Sequence, residues 1–132
     1  MNTKNIHQTV FIKAAPRAVY RALMDPRQHS KITGSKAVIG AKTGGSFSMW
    51  DGGIHGITLL LVPDAKIVQA WRSHDWPDDH YSVASFSLQK AGNGTRLVFD
   101  QYGVPARDSK SISEGWKTYY WKPMKELLEK GR

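Results

Sequence analysis

Residues 111–129 read SISEGWKTYYWKPMKELLE, and their pattern predicts a long C-terminal helix. Ser111 and Glu114 have the spacing of a capping box, which places the start of the helix near residue 111. Pro123 is expected to bend this helix or to perturb its hydrogen bonds, because proline has no backbone N–H. Apolar side chains recur along it at spacings of four, four and three residues: Trp116, Tyr120, Met124 and Leu127.

The chain upstream begins with one strand and two short helices. Residues 6–13 are rich in β-branched and aromatic side chains, which favours a strand. Pro16 suits the first turn of a helix. Asp25-Pro26 breaks that helix and starts a second one, which is predicted to end at Gly34.

Between residues 36 and 102, short β runs alternate with turn signals such as Gly92-Asn93-Gly94. Connections this short favour antiparallel hairpins over βαβ units. The predicted strands are 36–40, 45–50, 54–62, 66–72, 81–90 and 95–102.

These elements predict one α+β domain over residues 1–132, with a sheet of about seven antiparallel strands. Since strands twist, the sheet is expected to curl around the C-terminal helix and to leave a cleft on its concave side. Residues on that side either form a core alone or line a site for an apolar small molecule. For each residue taken singly, core packing is the favoured interpretation. Alternation assigns ten apolar residues to this side: Phe47, Met49, Leu59, Leu61, Ile67, Trp71, Phe86, Leu88, Leu97 and Phe99.

Composition excludes several classes of protein. The 132 residues include no cysteine, which excludes disulfides, thiolate metal sites and thiol nucleophiles. No apolar run is long enough to span a membrane, and the N-terminus lacks a signal-peptide core, so a cytoplasmic location is expected. The net charge of +8 comes from the ends of the chain, with +7 in residues 1–45 and +3 in 110–132. Without a nucleic-acid recognition motif, a soluble basic domain is favoured over nucleic-acid binding.

The polar residues support several interpretations. His74, His80 and the three aspartates between them have the chemistry of divalent-metal ligands, yet proline and aspartate are also what a loop requires, and a loop without metal is favoured. His55 and Gln101 lie on predicted strands. Each is either a polar group in the cleft that orients a ligand or a hydrogen-bonded residue of the core, and the core interpretation is favoured. Arg72 follows Trp71, so alternation predicts that it points away from the tryptophan as a solvated charge.

A set of ordered motifs resembles one protein family. The motifs are GGSFSMWDG at 44–52, IVQAWR at 67–72, Trp76-Pro77, Gly94-Thr95, GVP at 103–105, and GW at 115–116 followed by YYW at 119–121. Together they resemble the C-terminal-domain-like family of the activator of heat-shock protein 90 ATPase, in the START-related helix-grip (SRPBCC) superfamily. The resemblance implies a curved antiparallel sheet that grips a C-terminal helix. In eukaryotic co-chaperones of this family an additional N-terminal domain makes the principal stimulating contacts, and we expect this chain to lack it.

Three functional hypotheses follow. The first is non-catalytic binding of a small apolar or amphipathic ligand, such as a lipid, between sheet and helix, with no catalytic residue, metal or cofactor. The second, implied by the resemblance, is a stress-response module that binds a chaperone of the heat-shock protein 90 type through the basic chain ends. The third is a cyclase- or hydrolase-type enzyme with a cleft group such as His55 as acid or base. The candidate ligand-binding residues are Phe47, Met49, His55, Trp71, Phe86, Phe99, Gln101, Trp116 and Tyr120.

Overall fold

A computed structural model describes residues 1–129, and it confirms the predicted α+β helix-grip architecture. Residues 130–132, the end of the predicted domain, lie outside the described part of the chain. The strands are β1 (Thr3–Ile12), β2 (Ala37–Ile39), β3 (Ser46–Met49), β4 (Ile54–Val62), β5 (Lys66–Ser73), β6 (Ser82–Ala91) and β7 (Gly94–Pro105). The helices are α1 (Pro16–Met24), α2 (Pro26–Thr33), a 3₁₀ turn (Ala106–Asp108), α3 (Ser109–Trp116), a π-helical segment (Lys117–Trp121) and α4 (Lys122–Glu129).

All seven strands form one antiparallel sheet in the order β1-β7-β6-β5-β4-β3-β2. The strands from β2 to β7 form a meander, as their short connections predict. The first strand, β1, pairs with β7 and forms the edge opposite β2. Register shifts between Lys4 and Ile6 in β1 and between Thr58 and Leu60 in β4 mark irregularities in the pairing of these two strands. Such bulges bend a strand and increase its twist, which helps the sheet to curve around the helix.

The bulge in β4 overturns one assignment to the inner face. Gly56 and Thr58 are buried on that face, whereas Leu59 is 47% exposed. Because the bulge adds one residue, the alternation reverses after it, and Leu61 returns to pack against the core. The prediction for Leu59 was therefore wrong. The other predicted inner-face residues, Phe47, Met49, Ile67, Trp71, Phe86, Leu88, Leu97 and Phe99, are buried.

The C-terminal helix begins earlier than its capping-box pattern predicts. It starts at Ser109, and the residue before it makes no side-chain cap, so Ser111 lies inside the helix and the predicted cap is wrong. Pro123 perturbs the helix as expected: the preceding turn is π-helical, and the Lys122 N–H donates to the carbonyl oxygen of Lys117, five residues back. The wider turn shifts the apolar stripe by one residue.

This shift corrects the predicted stripe at its end. Trp116, Tyr120 and Met124 are buried as predicted, and Trp121 joins them. Leu127 is 38% exposed, however, and Leu128 packs against the core in its place. A regular helical spacing could not include the extra residue of a π turn.

The two short helices pack against α4 and close one end of the sheet. The Asp25 carboxylate caps α2 by accepting from the Arg27 N–H at 2.8 Å and the Gln28 N–H at 3.4 Å. Gly34 ends α2 with a left-handed φ of 76°, as its glycine predicts. No helix among residues 1–129 is long and apolar enough to cross a membrane.

Candidate functional site

An open groove of about 390 Å³ lies between α3 and the β3–β5 part of the sheet, and we call it the helix–sheet groove. Its walls are mainly apolar, which suits a flat apolar molecule or an apolar side chain of a partner. It is lined by Trp50, Ile54, Trp71, Ser111, Ile112, Gly115, Trp116, Tyr119 and Tyr120.

A strained turn places one aromatic wall of this groove. Trp50 and Asp51, in the β3–β4 turn, have left-handed φ angles of 51° and 53°, and the Gly53 N–H closes the turn on the Trp50 carbonyl oxygen at 2.9 Å. That conformation is uncommon for a bulky residue and costs about 1–3 kcal/mol. In it the Trp50 ring meets Tyr119 and Tyr120 edge-on, at centroid distances of 6.1 and 6.3 Å.

The space behind the groove is filled by aromatic side chains. The Trp116 ring lies 4.4 Å from Phe99, 4.6 Å from Tyr120 and 5.6 Å from Trp121, centroid to centroid. Trp116 is 3% exposed and Phe99 is fully buried. The cleft expected between sheet and helix is therefore largely occupied by the protein's own core, and the helix–sheet groove is its open rim.

Gln101 is committed to a buried hydrogen-bond chain. Its Oε1 accepts from the Trp116 Nε1–H at 2.8 Å, and its Nε2 donates to the Ser82 hydroxyl oxygen at 2.9 Å. The Ser82 hydroxyl in turn donates to the carbonyl oxygen of Trp71 at 2.8 Å. Gln101 is fully buried and all of these hydrogen bonds are internal, so it is a hydrogen-bonded residue of the core. Its bond to the indole N–H holds Trp116 in place.

A second buried pair joins α2 to the π-helical segment. The Nδ1–H of His29 donates to the Leu23 carbonyl oxygen at 2.9 Å, which leaves its Nε2 as the acceptor for the Tyr120 hydroxyl at 2.9 Å. Burial lowers the pKa of His29 and raises the pKa of Tyr120, so both side chains are neutral. The pair fixes Tyr120 in the wall of the helix–sheet groove.

One buried indole N–H near the groove has no partner in the described chain. Trp121 Nε1–H donates to Gln8 Oε1 at 2.6 Å, and Trp76 Nε1–H donates to Asp108 Oδ2 at 3.0 Å. The buried Nε1–H of Trp71 finds no acceptor among residues 1–129. An unsatisfied buried donor costs about 1–3 kcal/mol, and an acceptor on a bound molecule would recover that energy.

Arg72 is buried, and the prediction of a solvated charge was wrong. Its side chain is enclosed by the loop over residues 74–80, where it donates to the carbonyl oxygens of Pro77 at 2.8 Å and Trp76 at 3.0 Å, with longer bonds to His74 and His80 at 3.4 Å. Alternation correctly directs it away from Trp71, but a loop folds over that outer face.

The same loop explains the dense polar cluster. His80 Nε2–H donates to the Gly103 carbonyl oxygen at 2.8 Å, and the Ser73 hydroxyl donates to Asp75 at 2.6 Å. Within residues 1–129, no three histidine, aspartate or glutamate side chains are grouped to hold a metal ion. The two hydrogen bonds hold side chains of the cluster within the loop and against β7.

The candidate ligand-binding residues separate into three groups. Trp71, Trp116 and Tyr120 line the helix–sheet groove. His55 points to the outer face of the sheet, whereas its neighbour Ile54 on β4 points to the inner face. The Nδ1 of His55 lies 3.3 Å from the Gly52 carbonyl oxygen. The remaining residues are buried in the core behind the groove: Phe47, Met49, Phe86, Phe99 and Gln101.

Four apolar groove residues were not among the predicted site residues: Trp50, Ile54, Ile112 and Tyr119. A signal existed for Ile112, which precedes Trp116 by one helical turn. Trp50 gave no usable signal, because its direction depends on a left-handed turn conformation that tryptophan rarely adopts.

Comparison with known proteins identifies the family. Residues 13–129 match the family described as "Activator of Hsp90 ATPase homolog 1-like protein". The chain is 31% identical over 127 residues to the mouse activator of 90 kDa heat shock protein ATPase homolog 2, covering 96% of this chain and 38% of that protein. It is 29% identical to the human homolog 1, covering 89% of this chain and 35% of that protein. The chain thus spans little more than a third of each of these two relatives.

Solved structures share the fold. An HSP90 activator from Plasmodium falciparum superposes with a TM-score of 0.91 at 23% identity, covering 97% of both chains. The Aha1 dimer from Colwellia psychrerythraea superposes with a TM-score of 0.81 at 22% identity, covering 98% of both chains. At these identities the structures establish the helix-grip fold, and the family match extends over most of the sequence. The chain therefore belongs to the Activator of Hsp90 ATPase homolog 1-like family.

Proposed function

We propose that this protein acts in the cytoplasm as a binding module for a chaperone of the heat-shock protein 90 type, with an activator-like role. The observation that carries the proposal is the closed interior: the space between sheet and helix is filled by Trp116, Phe99 and their aromatic neighbours. A protein whose cleft is filled makes its contacts through its surface. The match to named chaperone activators over 96% of the chain supports a chaperone as the partner.

The surface charge supports an acidic partner. Arg17, Arg21, Arg27 and Lys31 are exposed on α1 and α2, and Asp25, which caps α2, is the single acidic residue in residues 1–45. Since α1 and α2 pack against α4, the basic N-terminal and C-terminal parts of the chain meet in one helical layer. A positive electrostatic potential over such a layer speeds association with a negatively charged surface, and salt screens this attraction.

The test is binding and ATP turnover with a purified heat-shock protein 90 homologue. We expect a complex in 50 mM NaCl that weakens at least tenfold in 300 mM NaCl, together with a higher ATPase rate that a chaperone inhibitor abolishes. Neutralising Arg17, Arg21, Arg27 and Lys31 to glutamine should weaken the complex. A matched variant that loses four cations elsewhere, at Lys36, Lys42, Lys90 and Arg96, should bind as the wild type does. Absence of binding at low salt and micromolar concentration would contradict the proposal.

A second candidate function is binding of a small apolar or amphipathic ligand in the helix–sheet groove. The mainly apolar lining of the groove favours it. A ligand oxygen that reached the buried Nε1–H of Trp71 would also satisfy a donor that has no acceptor among residues 1–129. Native mass spectrometry of freshly purified protein should then show an excess mass that denaturation removes. Gly115→Leu should abolish this mass without unfolding the protein, since a side chain at Gly115 has open space beyond a 3.8 Å contact with Tyr119. A clean apo mass for the wild type would argue against this candidate.

A further inference from the structure

A second groove, of about 550 Å³, runs between β1 and the C-terminal helix on the far side from the helix–sheet groove. We call it the lysine groove. One wall is the middle of β1 and the other is the face of the helix that carries three lysines. Its principal lining residues are Gln8, Thr9, Val10, Lys117, Lys122 and Lys125.

The strand wall offers backbone hydrogen-bonding groups. β1 is an edge strand and, among residues 1–129, pairs with β7 alone, so every second residue directs its N–H and C=O away from the sheet. Glu129 occupies one such position just beyond the strand, where its Oε2 accepts from the Lys13 N–H at 2.8 Å. An extended polypeptide that adds to a sheet edge uses these same groups.

The helix wall offers positive charge, and the π turn arranges it. Because the turn ends in a bond from the Lys122 N–H to the Lys117 carbonyl oxygen, residues five apart come to lie on one face of the helix. Lys125 follows Lys122 by three residues, which keeps it on the same side. None of these three lysines forms an ion pair with another residue of the described chain, and within residues 1–129 Glu126 is the one carboxylate in the groove lining.

The floor fixes the position of both walls. Trp121 lines the lysine groove and donates its Nε1–H to Gln8 Oε1, while Gln8 Nε2 donates to the backbone carbonyl oxygen of Ser113 at 2.9 Å. These bonds tie β1 to the helix at the level of the lysines. The groove is therefore a preformed channel with a strand edge on one side and three unpaired cations on the other.

We propose that the lysine groove binds an acidic, extended segment of a partner protein by strand addition to β1, with carboxylates of the segment against Lys117, Lys122 and Lys125. A second copy of this chain does not fit, because β1 carries Lys4 and no carboxylate and therefore offers no negative charge to the three lysines. Nucleic acid fits less well, since the lining within residues 1–129 includes no arginine to bind phosphate in a bidentate manner. A nucleotide chain also lacks the alternating N–H and C=O groups that pair with a strand edge. The site is independent of the chaperone proposal.

The experiment uses the whole protein and a ten-residue probe peptide with alternating glutamate and valine, titrated by calorimetry in 50 mM NaCl. We expect saturable binding with amide chemical-shift changes concentrated at Gln8, Thr9 and Val10. The variant with Lys117, Lys122 and Lys125 changed to glutamine should bind about tenfold more weakly. The matched control changes Lys36, Lys42 and Lys90 to glutamine and should bind as the wild type does.

Two further probes separate charge from strand addition. A peptide with glutamine in place of glutamate should bind at least tenfold more weakly. Peptides with N-methylated backbone amides at either the glutamate or the valine positions keep their charge, and at least one of the two should lose binding. Equal binding by both methylated peptides, equal binding by the lysine variant, or tighter binding of a single-stranded oligonucleotide than of the peptide would each overturn the proposal.

Discussion

Lowering the pH from 8 to 5 is expected to destabilise the fold through one buried side chain, His29. In the folded protein its Nδ1–H donates to the Leu23 carbonyl oxygen and its Nε2 accepts from the Tyr120 hydroxyl, each at 2.9 Å. A proton on Nε2 would place two donors against each other in a buried site. Burial accordingly lowers the pKa of His29 below its ordinary value of 6.5.

The size and sign of the effect follow from proton linkage. Above pH 6.5 the imidazole is neutral in both the folded and the unfolded protein, so this residue adds no pH dependence. Below pH 6.5 the unfolded chain takes up a proton that the folded protein refuses, until the lowered folded pKa is reached. Within that window the free energy of unfolding should fall by about 1.4 kcal/mol for each pH unit.

The assay is urea denaturation followed by tryptophan fluorescence at half-unit steps from pH 8 to pH 5. His29→Gln is the control, because glutamine can accept a hydrogen bond from Tyr120 but does not titrate. The wild type should be more stable than the variant at pH 8, and the difference should shrink steadily below pH 6.5. The Ser73 hydroxyl lowers the pKa of Asp75, so that carboxylate titrates below this range. Parallel stability curves for the two proteins would refute the reasoning.

Three substitutions, in the core, at the arginine enclosed by the loop over residues 74–80 and in β4, should each lower the free energy of unfolding, which chemical denaturation measures. Gln101→Leu should lower the free energy of unfolding by about 2–3 kcal/mol, since it leaves the buried Trp116 indole N–H without its acceptor and removes one of the two hydrogen bonds of the buried Ser82 hydroxyl. A loss under about 0.5 kcal/mol would contradict the assigned network. Arg72→Met should lower the free energy of unfolding by about 2 kcal/mol and make the loop over residues 74–80 more sensitive to proteases. Unchanged proteolysis would show that the four hydrogen bonds from Arg72 to backbone carbonyl oxygens do not hold the loop. Gly56→Ala should cost at least about 3 kcal/mol, because its Cβ would lie 1.8 Å from the Ala70 carbonyl oxygen; a stable variant would place β4 and β5 farther apart than the structure has them.

Most of the fold could be predicted because its signals are local. Period-two apolar patterns, glycine-rich turns and the proline and glycine at helix ends each act within a few residues, and all seven strands and both short helices occur where those signals place them. The errors arise where one residue is inserted into a regular pattern. The β4 bulge exposes Leu59, and the π turn moves the end of the helical stripe from Leu127 to Leu128.

The site was harder to predict because it depends on contacts between distant parts of the chain. Alternation identifies the face on which Trp71 and Phe99 lie, but it does not show that Trp116 fills the space between them. It also directs Arg72 outward correctly and cannot show that a loop then covers it. The lysine groove depends on three separate features: an edge strand, a π turn and three lysines that form no ion pair within residues 1–129. No single stretch of sequence contains all three.

A ligand that reached the concave face of the sheet would first have to displace Trp116. Its ring lies within 6 Å of five other aromatic rings, centroid to centroid, and its N–H is bonded to Gln101. Removing a buried tryptophan from such packing costs about 3–5 kcal/mol. Leaving the buried Gln101 Oε1 without its hydrogen bond adds about 1–3 kcal/mol. That total, roughly 4–8 kcal/mol, equals the whole binding energy of a millimolar to micromolar ligand. The helix–sheet groove and the lysine groove require no such rearrangement, so we expect any recognition by this protein to occur at these two grooves rather than in its core.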